Sequence, residues 1–151
     1  LNLVDIEILG EMYVSMSNKK QLSQIITDTI LPMSLQLETD VQAVTFFSSV
    51  WKAFQRGRTF YSESDIKNFA LSLSQINELA LRKHYIMLSI RILLFQYDSD
   101  TAKSIVSQYE QETNHDEQIV KAGKISYLWI EMNEPEKYVN AENELKTLME
   151  G

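Results

Sequence analysis

The sequence predicts an all-α fold, and three observations carry that expectation. Apolar residues recur at intervals of three and four along the 151 residues, and no segment alternates with the period of two that a half-buried strand requires. Only four Gly and two Pro are present, which points to long helices joined by short loops. Between Tyr85 and Tyr97 only Ser89, Arg91 and Gln96 are polar, so a helix there is apolar on nearly every side and belongs inside the molecule. That stretch is shorter than the roughly 20 apolar residues a bilayer span needs. Its burial would place Arg91 where an unpaired charge is costly, which makes this arginine the first candidate for function.

The elements follow in order. Leu3, Ile6, Gly10 and Tyr13, with Val4, Ile8 and Met12, predict a first helix over 3–14 with Asn2 as its cap. Asn18 and Gln21 have capping-box spacing, and Leu22, Ile25, Ile26, Ile30, Met33 and Leu37 form the stripe of a second helix. Pro32 removes a backbone donor inside it, so the helix is expected to kink there or stop near Leu31. Thr39 and Gln42 start a third helix through Ala43, Phe47, Val50, Trp51 and Phe54, ending at Gly57. Ser62 and Asp65 open a fourth, with Ile66, Phe69, Ala70, Leu73, Ile76 and Leu79. The apolar fifth follows over 83–97. Asp98-Ser99-Asp100 recaps the chain for a sixth through Ala102, Ile105, Val106 and Tyr109. Asn114 and Glu117 predict the start of a seventh through Met132, and Pro135 the first position of an eighth through Leu148.

Eight helices on short loops make four antiparallel hairpins beginning near residues 3, 40, 82 and 116. Spacings of 34 to 42 residues are those of tetratricopeptide-like arrays, in which each hairpin buries a face against the next. The tetratricopeptide consensus is not satisfied in any copy, and a plain eight-helix bundle is the alternative.

Composition narrows the function. The chain carries a formal charge of −7, and the acids concentrate late: eleven acids face five bases over 99–151, against ten and nine over 1–98. A net-acidic chain is a poor ligand for a phosphate backbone. The segment 51–91 runs the other way, with seven cations against Glu63, Asp65 and Glu78. These could hold a small anion or a peptide carboxylate, or could simply balance the acidic last third across the surface. With no Cys there is neither disulfide nor thiolate chemistry, and a reducing cytoplasm is the expected compartment. The start at Leu1 points to a piece of a longer protein.

Catalytic apparatus is not apparent. The two histidines, His84 and His115, have no Cys, G-x-S-x-G, phosphate loop or H-E-x-x-H beside them. Glu112 and His115 have the E-x-x-H spacing of di-iron bundles, but without a second copy they straddle a helix boundary. The expectation is therefore a non-enzymatic protein without metal or cofactor. Polar residues on otherwise apolar faces are the better candidates: Tyr85, Ser89 and Gln96 on the fifth helix with Arg91 to the side, Thr45, Ser48, Ser49, Lys52 and Arg56 on the third, Lys121, Lys124 and Tyr127 on the seventh. If alternate helices line the concave face of an array, the three sets converge on one groove. The opposing reading leaves Lys52, Arg56 and Lys124 merely solvated and ties Arg91 to a local acid such as Asp98.

The run Asp5-Ile6-Glu7-Ile8-Leu9-Gly10-Glu11-Met12, followed by Gln21-Leu22-Ser23-Gln24-Ile25-Ile26, resembles the start of the peptide-sensing part of the Rgg/GadR/MutR transcriptional regulators. The later runs Ile86 to Phe95 and Ala102 to Tyr109 are similar in order and spacing to that family and to the related PrgX-type pheromone receptors. The resemblance covers about residues 3 to 112 and consists of helix lengths and apolar spacing. It implies a right-handed superhelix of hairpins that dimerises and accepts a short signalling peptide on its concave face. DNA would be bound only through an upstream helix-turn-helix domain that nothing in this sequence matches. The resemblance puts the peptide contacts on inner helices, where Arg91 and Ser89, then Lys52 and Ser49, stand nearest; Tyr85 and Lys124 complete the expected groove. The alternative is a tetratricopeptide-like scaffold for a partner protein, with no transcriptional role.

Overall fold

A computed structural model describes residues 3–150, and among them every regular element is helical. The eight helices are α1 (Leu3–Ser17), α2 (a continuous run over 22–34), α3 (Asp40–Gly57), α4 (Glu63–Ser74), α5 (Arg82–Phe95), α6 (Ser99–Glu110), α7 (Glu117–Glu131) and α8 (Tyr138–Glu150). Short 3₁₀ turns at Arg58–Phe60 and Leu79–Leu81 precede α4 and α5.

Local chemistry explains where most of them begin. Thr39 Oγ1 accepts the Gln42 amide at 3.1 Å while the Gln42 side chain accepts the Thr39 amide, the reciprocal box expected for α3. Ser62 Oγ caps α4 through the Asp65 amide, and Asp98 Oδ1 caps α6 through the Thr101 amide. The cap expected at Asn2 lies outside the described residues, as do the side chains of Leu3 and Val4.

Several expected boundaries move. Asn18 does not start α2. Lys19 takes a left-handed conformation (φ 58°), and the amides of Lys19 and Lys20 return to the carbonyls of Met16 and Ser15, closing α1 in a Schellman motif. Asn114 is displaced as the cap of α7 by Asp116, whose carboxylate accepts the amides of Gln118 and Ile119. Pro135 lies in a turn before α8, which opens at Tyr138. α4 ends at Ser74, five residues short of Leu79, which is exposed. In α2 the chain does not stop at Leu31. It runs through Pro32 to Ser34 because a wide π turn over Ile26–Ile30 precedes the proline and loosens the hydrogen-bond ladder where the missing N–H would leave a gap.

The predicted centre is the observed one. Tyr85, Ile86, Leu88, Ser89, Ile90, Ile92 and Leu93 of α5 are all buried, and α5 packs against α3, α4, α6 and α7. Odd-numbered helices touch in sequence, α1 with α3, α3 with α5 and α5 with α7, and α4 and α6 pack against the odd helix that follows each. The approaches are close where side chains are small. A Cβ on Gly57 would meet Met16 of α1 at 2.7–2.8 Å, and one on Gly123 of α7 would meet Val106 of α6 at 2.7 Å and Ile90 of α5 at 3.2 Å. Aromatic rings fill the middle: Phe54 stacks on Phe69 of α4 at 6.0 Å, and Phe47 meets Tyr85 edge-on at 4.8 Å.

Two polar locks tie the helices together, one buried and one part-buried. Tyr85 Oη shares a hydrogen bond of 2.7 Å with Ser34 Oγ, fastening α5 to α2, and burial pushes the Tyr85 hydroxyl up to about 12. Arg82 forms a two-pronged pair with Glu112, Nε to Oε1 at 3.0 Å and Nη2 to Oε2 at 2.7 Å, and its Nη1 donates to the carbonyls of Ser74 and Ile76.

Candidate functional site

A cleft of about 280 Å³ opens on the face shared by α3, α5 and α7. From α3 come Asp40, Val44, Phe47 and Ser48, from α5 Lys83, His84, Met87, Leu88 and Arg91, and from the start of α7 Asp116 and Ile119. Within the α5 set His84, Met87 and Arg91 are spaced at three, four and seven residues and are not fully buried, while Leu88 is covered. At one end Asp40, in the first turn of α3, receives His84 Nε2 at 3.0 Å and Lys83 Nζ at 3.2 Å on the same oxygen. Those two donors hold the Asp40 carboxyl below its ordinary value. The His84 ring lies nearly parallel to Phe47 with centroids 5.4 Å apart, so its apolar face packs and its polar edge is engaged. The floor is apolar, formed by Phe47, Leu88, Met87 and Ile119.

At the other end Arg91 borders a second hollow of about 690 Å³, with Trp51 from α3, Arg58 and Glu63 from the α3–α4 connection and the start of α4, and Leu94, Phe95, Gln96 and Tyr97 from the end of α5. Arg58 lies over the Phe95 ring at 4.3 Å. Arg91 is exposed and has no carboxylate within ion-pair distance among the described residues. The buried setting expected for it is therefore corrected. α5 is covered on its other sides, and the desolvation cost of a guanidinium turns this residue to the open strip. Asp98, the acid that the opposing reading ties to Arg91, caps α6 instead.

The other predicted side chains do not join it. Ser49, Tyr85 and Ser89 are buried in the core. Ser89 donates to the Ile86 carbonyl at 2.7 Å, a short hydroxyl satisfied by its own helix without solvent, and the Tyr85 hydroxyl is satisfied by Ser34 across the core. Lys52 is exposed but borders neither hollow, whereas its neighbour Trp51 does. Lys124 is paired with Glu110 at 2.9 Å and borders two other hollows, of about 370 and 400 Å³, between α7 and α8. Of the six, Arg91 alone lines the α3–α5–α7 cleft. The Glu112 and His115 pair is spent on structure: Glu112 receives Arg82, and His115 bridges the Glu112 carbonyl and the Glu117 carboxylate. Among the described residues no cluster of His, Asp and Glu has the geometry of a metal site.

The sequence reading places Phe47 on the core stripe of the third helix, weighs His84 only for catalysis or metal binding, leaves Met87 out of the groove, and counts Arg58 among the seven cations of 51–91 without assigning it to the groove. The available signal was the phase of Ser48 and Arg91, which belong to the same face.

The geometry defines an all-helical protein whose odd-numbered helices present a cleft with an apolar floor, a neutralised acid at one end and uncompensated guanidinium groups at the other. No protein-family model matches the chain, no curated protein matches it, and no solved structure matches it significantly.

Proposed function

We propose that this chain is the ligand-sensing part of an Rgg-like transcriptional regulator, binding a short signalling peptide in extended form along the α3–α5–α7 face. The observation that carries the reading is Arg91, a solvent-facing cation without an acidic partner where an apolar-floored cleft meets a second hollow. An extended peptide needs such a trough: apolar pockets for alternate side chains and a few polar groups for orientation. The contacts between successive odd-numbered helices support a tetratricopeptide-like, right-handed superhelical path as part of the same proposal. Dimerisation, a cytoplasmic setting and DNA contact through a separate helix-turn-helix domain belong to it too. Binding would act on transcription by favouring one arrangement of hairpins or subunits over another.

Selection of random heptapeptides on the immobilised chain tests this. Enriched peptides are expected to bind the wild type and to lose at least about tenfold in affinity with Arg91→Ala, the loss of a charge-assisted hydrogen bond. The thermal melt of that variant is expected to stay within about 0.5 kcal/mol of wild type, since the side chain is exposed. No enrichment over a scrambled background, or unchanged affinity beside a large loss of stability, overturns the reading.

A further inference from the structure

The hollow at the end of α5 has a composition of its own. Two guanidinium groups, Arg58 and Arg91, border it with one acid, Glu63, and no ion pair within 4.0 Å joins Glu63 to either. Arg58 Cζ lies 4.3 Å from the centre of the Phe95 ring, a cation–π contact that leaves its charge without an acidic partner within ion-pair distance among the described residues. Trp51, Phe95 and Tyr97 supply aromatic wall, with Trp51 set edge-on to Phe95 at 5.5 Å. Tyr97 is 76% exposed yet held in a left-handed conformation (φ 57°), an arrangement that costs a non-glycine residue roughly 1 kcal/mol. It is fixed from both sides: the amides of Tyr97 and Asp98 return to the carbonyls of Leu94 and Leu93 to close α5, and the Asp98 carboxylate then caps α6. A large aromatic side chain thus stands at the mouth of a cavity with net positive charge.

We infer that this hollow seats the C-terminal carboxylate of a peptide whose last side chain is aromatic or large and apolar. Arg58 and Arg91 take the carboxylate in charge-assisted hydrogen bonds, and Trp51, Phe95 and Tyr97 take the side chain. Glu63 and the formal charge of −7 disfavour a dianionic phosphate more than a single carboxylate. The inference rests on the peptide reading above and adds a direction to it: the peptide's end lies beside Trp51, and its earlier residues run from Arg91 toward His84.

N-acetylphenylalanine, its amide and inorganic phosphate are the probes, titrated into the whole chain and followed by amide resonances and Trp51 fluorescence. N-acetylphenylalanine is expected to bind in the millimolar range and to shift resonances around Trp51, Arg58 and Tyr97, with the amide at least about tenfold weaker. Arg58→Gln and Arg91→Gln are each expected to weaken the acid about tenfold and leave the amide unchanged. Equal binding of acid and amide, equal shifts with phosphate, or no shift with any probe overturns the inference. Failure of the two readings is distinguishable. Library peptides that bind equally as acids and as C-terminal amides remove the anchor and keep the peptide; an empty selection beside an acid-specific shift removes the peptide and keeps the carboxylate site.

Discussion

Arg82 touches three separate stretches of chain at once: the end of α4 through the Ser74 carbonyl, the loop beyond through Ile76, and the end of α6 through Glu112. Its guanidinium also lies 6.0 Å from the Tyr109 ring. Arg82→Ala is expected to cost roughly 2–4 kcal/mol in urea denaturation, because it strands a part-buried carboxylate and two carbonyls together. The same cluster sets a pH dependence. Arg82 holds the Glu112 carboxyl below its ordinary value, so the stabilisation it brings is complete above the unfolded value and is lost as pH falls through the depressed one. His115 shifts the other way, raised above 6.5 first by the Glu112 carbonyl and then by the Glu117 carboxylate. Its contribution is complete below the unfolded value and fades as pH rises through the folded one. Urea midpoints measured against pH are expected to fall on both sides, with Glu112→Gln flattening the acid limb and His115→Gln the neutral one. At this scale the sequence was readable where a signal is local: the Thr39, Ser62 and Asp98 caps are formed by atoms three residues away. The Arg82–Glu112 pair spans 30 residues, and no spacing rule links such partners.

Two glycines within helices have opposite surroundings. A Cβ on Gly10 of α1 would meet nothing within 4 Å, whereas one on Gly123 of α7 would press on Val106. Gly10→Ala is expected to stabilise the protein by up to about 1 kcal/mol through helix propensity alone. Gly123→Ala is expected to destabilise it by about 1–3 kcal/mol, because α6 and α7 would have to part. Thermal melts of the two variants, shifting in opposite directions, check both. Periodicity located these helices well and located their faces less well. α5 is apolar nearly all round, so its pattern has no preferred side, and the exposure of Arg91 was decided by which flank its four neighbours left open. The start of α2 was misread for a related reason: an Asn that fits a cap also fits the closing turn of the helix before it, and the left-handed Lys19 took the second use.

Across the molecule, α5 touches four other helices while α8 packs chiefly on α7 and buries only Ala141 and Leu145 among its fully covered side chains. Native-state hydrogen exchange is therefore expected to release α8 amides first and α5 amides last, with the latter reporting the global free energy of unfolding. Uniform protection across both helices would show instead a single cooperative unit. The all-helical class and the central place of α5 were legible because they follow from residue spacing over long windows. That the third, fifth and seventh helices share a groove was expected from the array; which side chains meet there was not, since the meeting of Asp40 with His84 over 44 residues depends on how hairpins stack.

The wide turn in α2 has a rotational consequence. Each residue of an α-helix advances about 100° around its axis, and a π turn takes up one residue more than an α turn does. Ser34, four residues downstream of that turn, owes its azimuth to this surplus residue. Wound as an ordinary helix, the same segment would carry its hydroxyl about 100° around the circumference, and the phenol of Tyr85 would face hydrocarbon where it now finds oxygen.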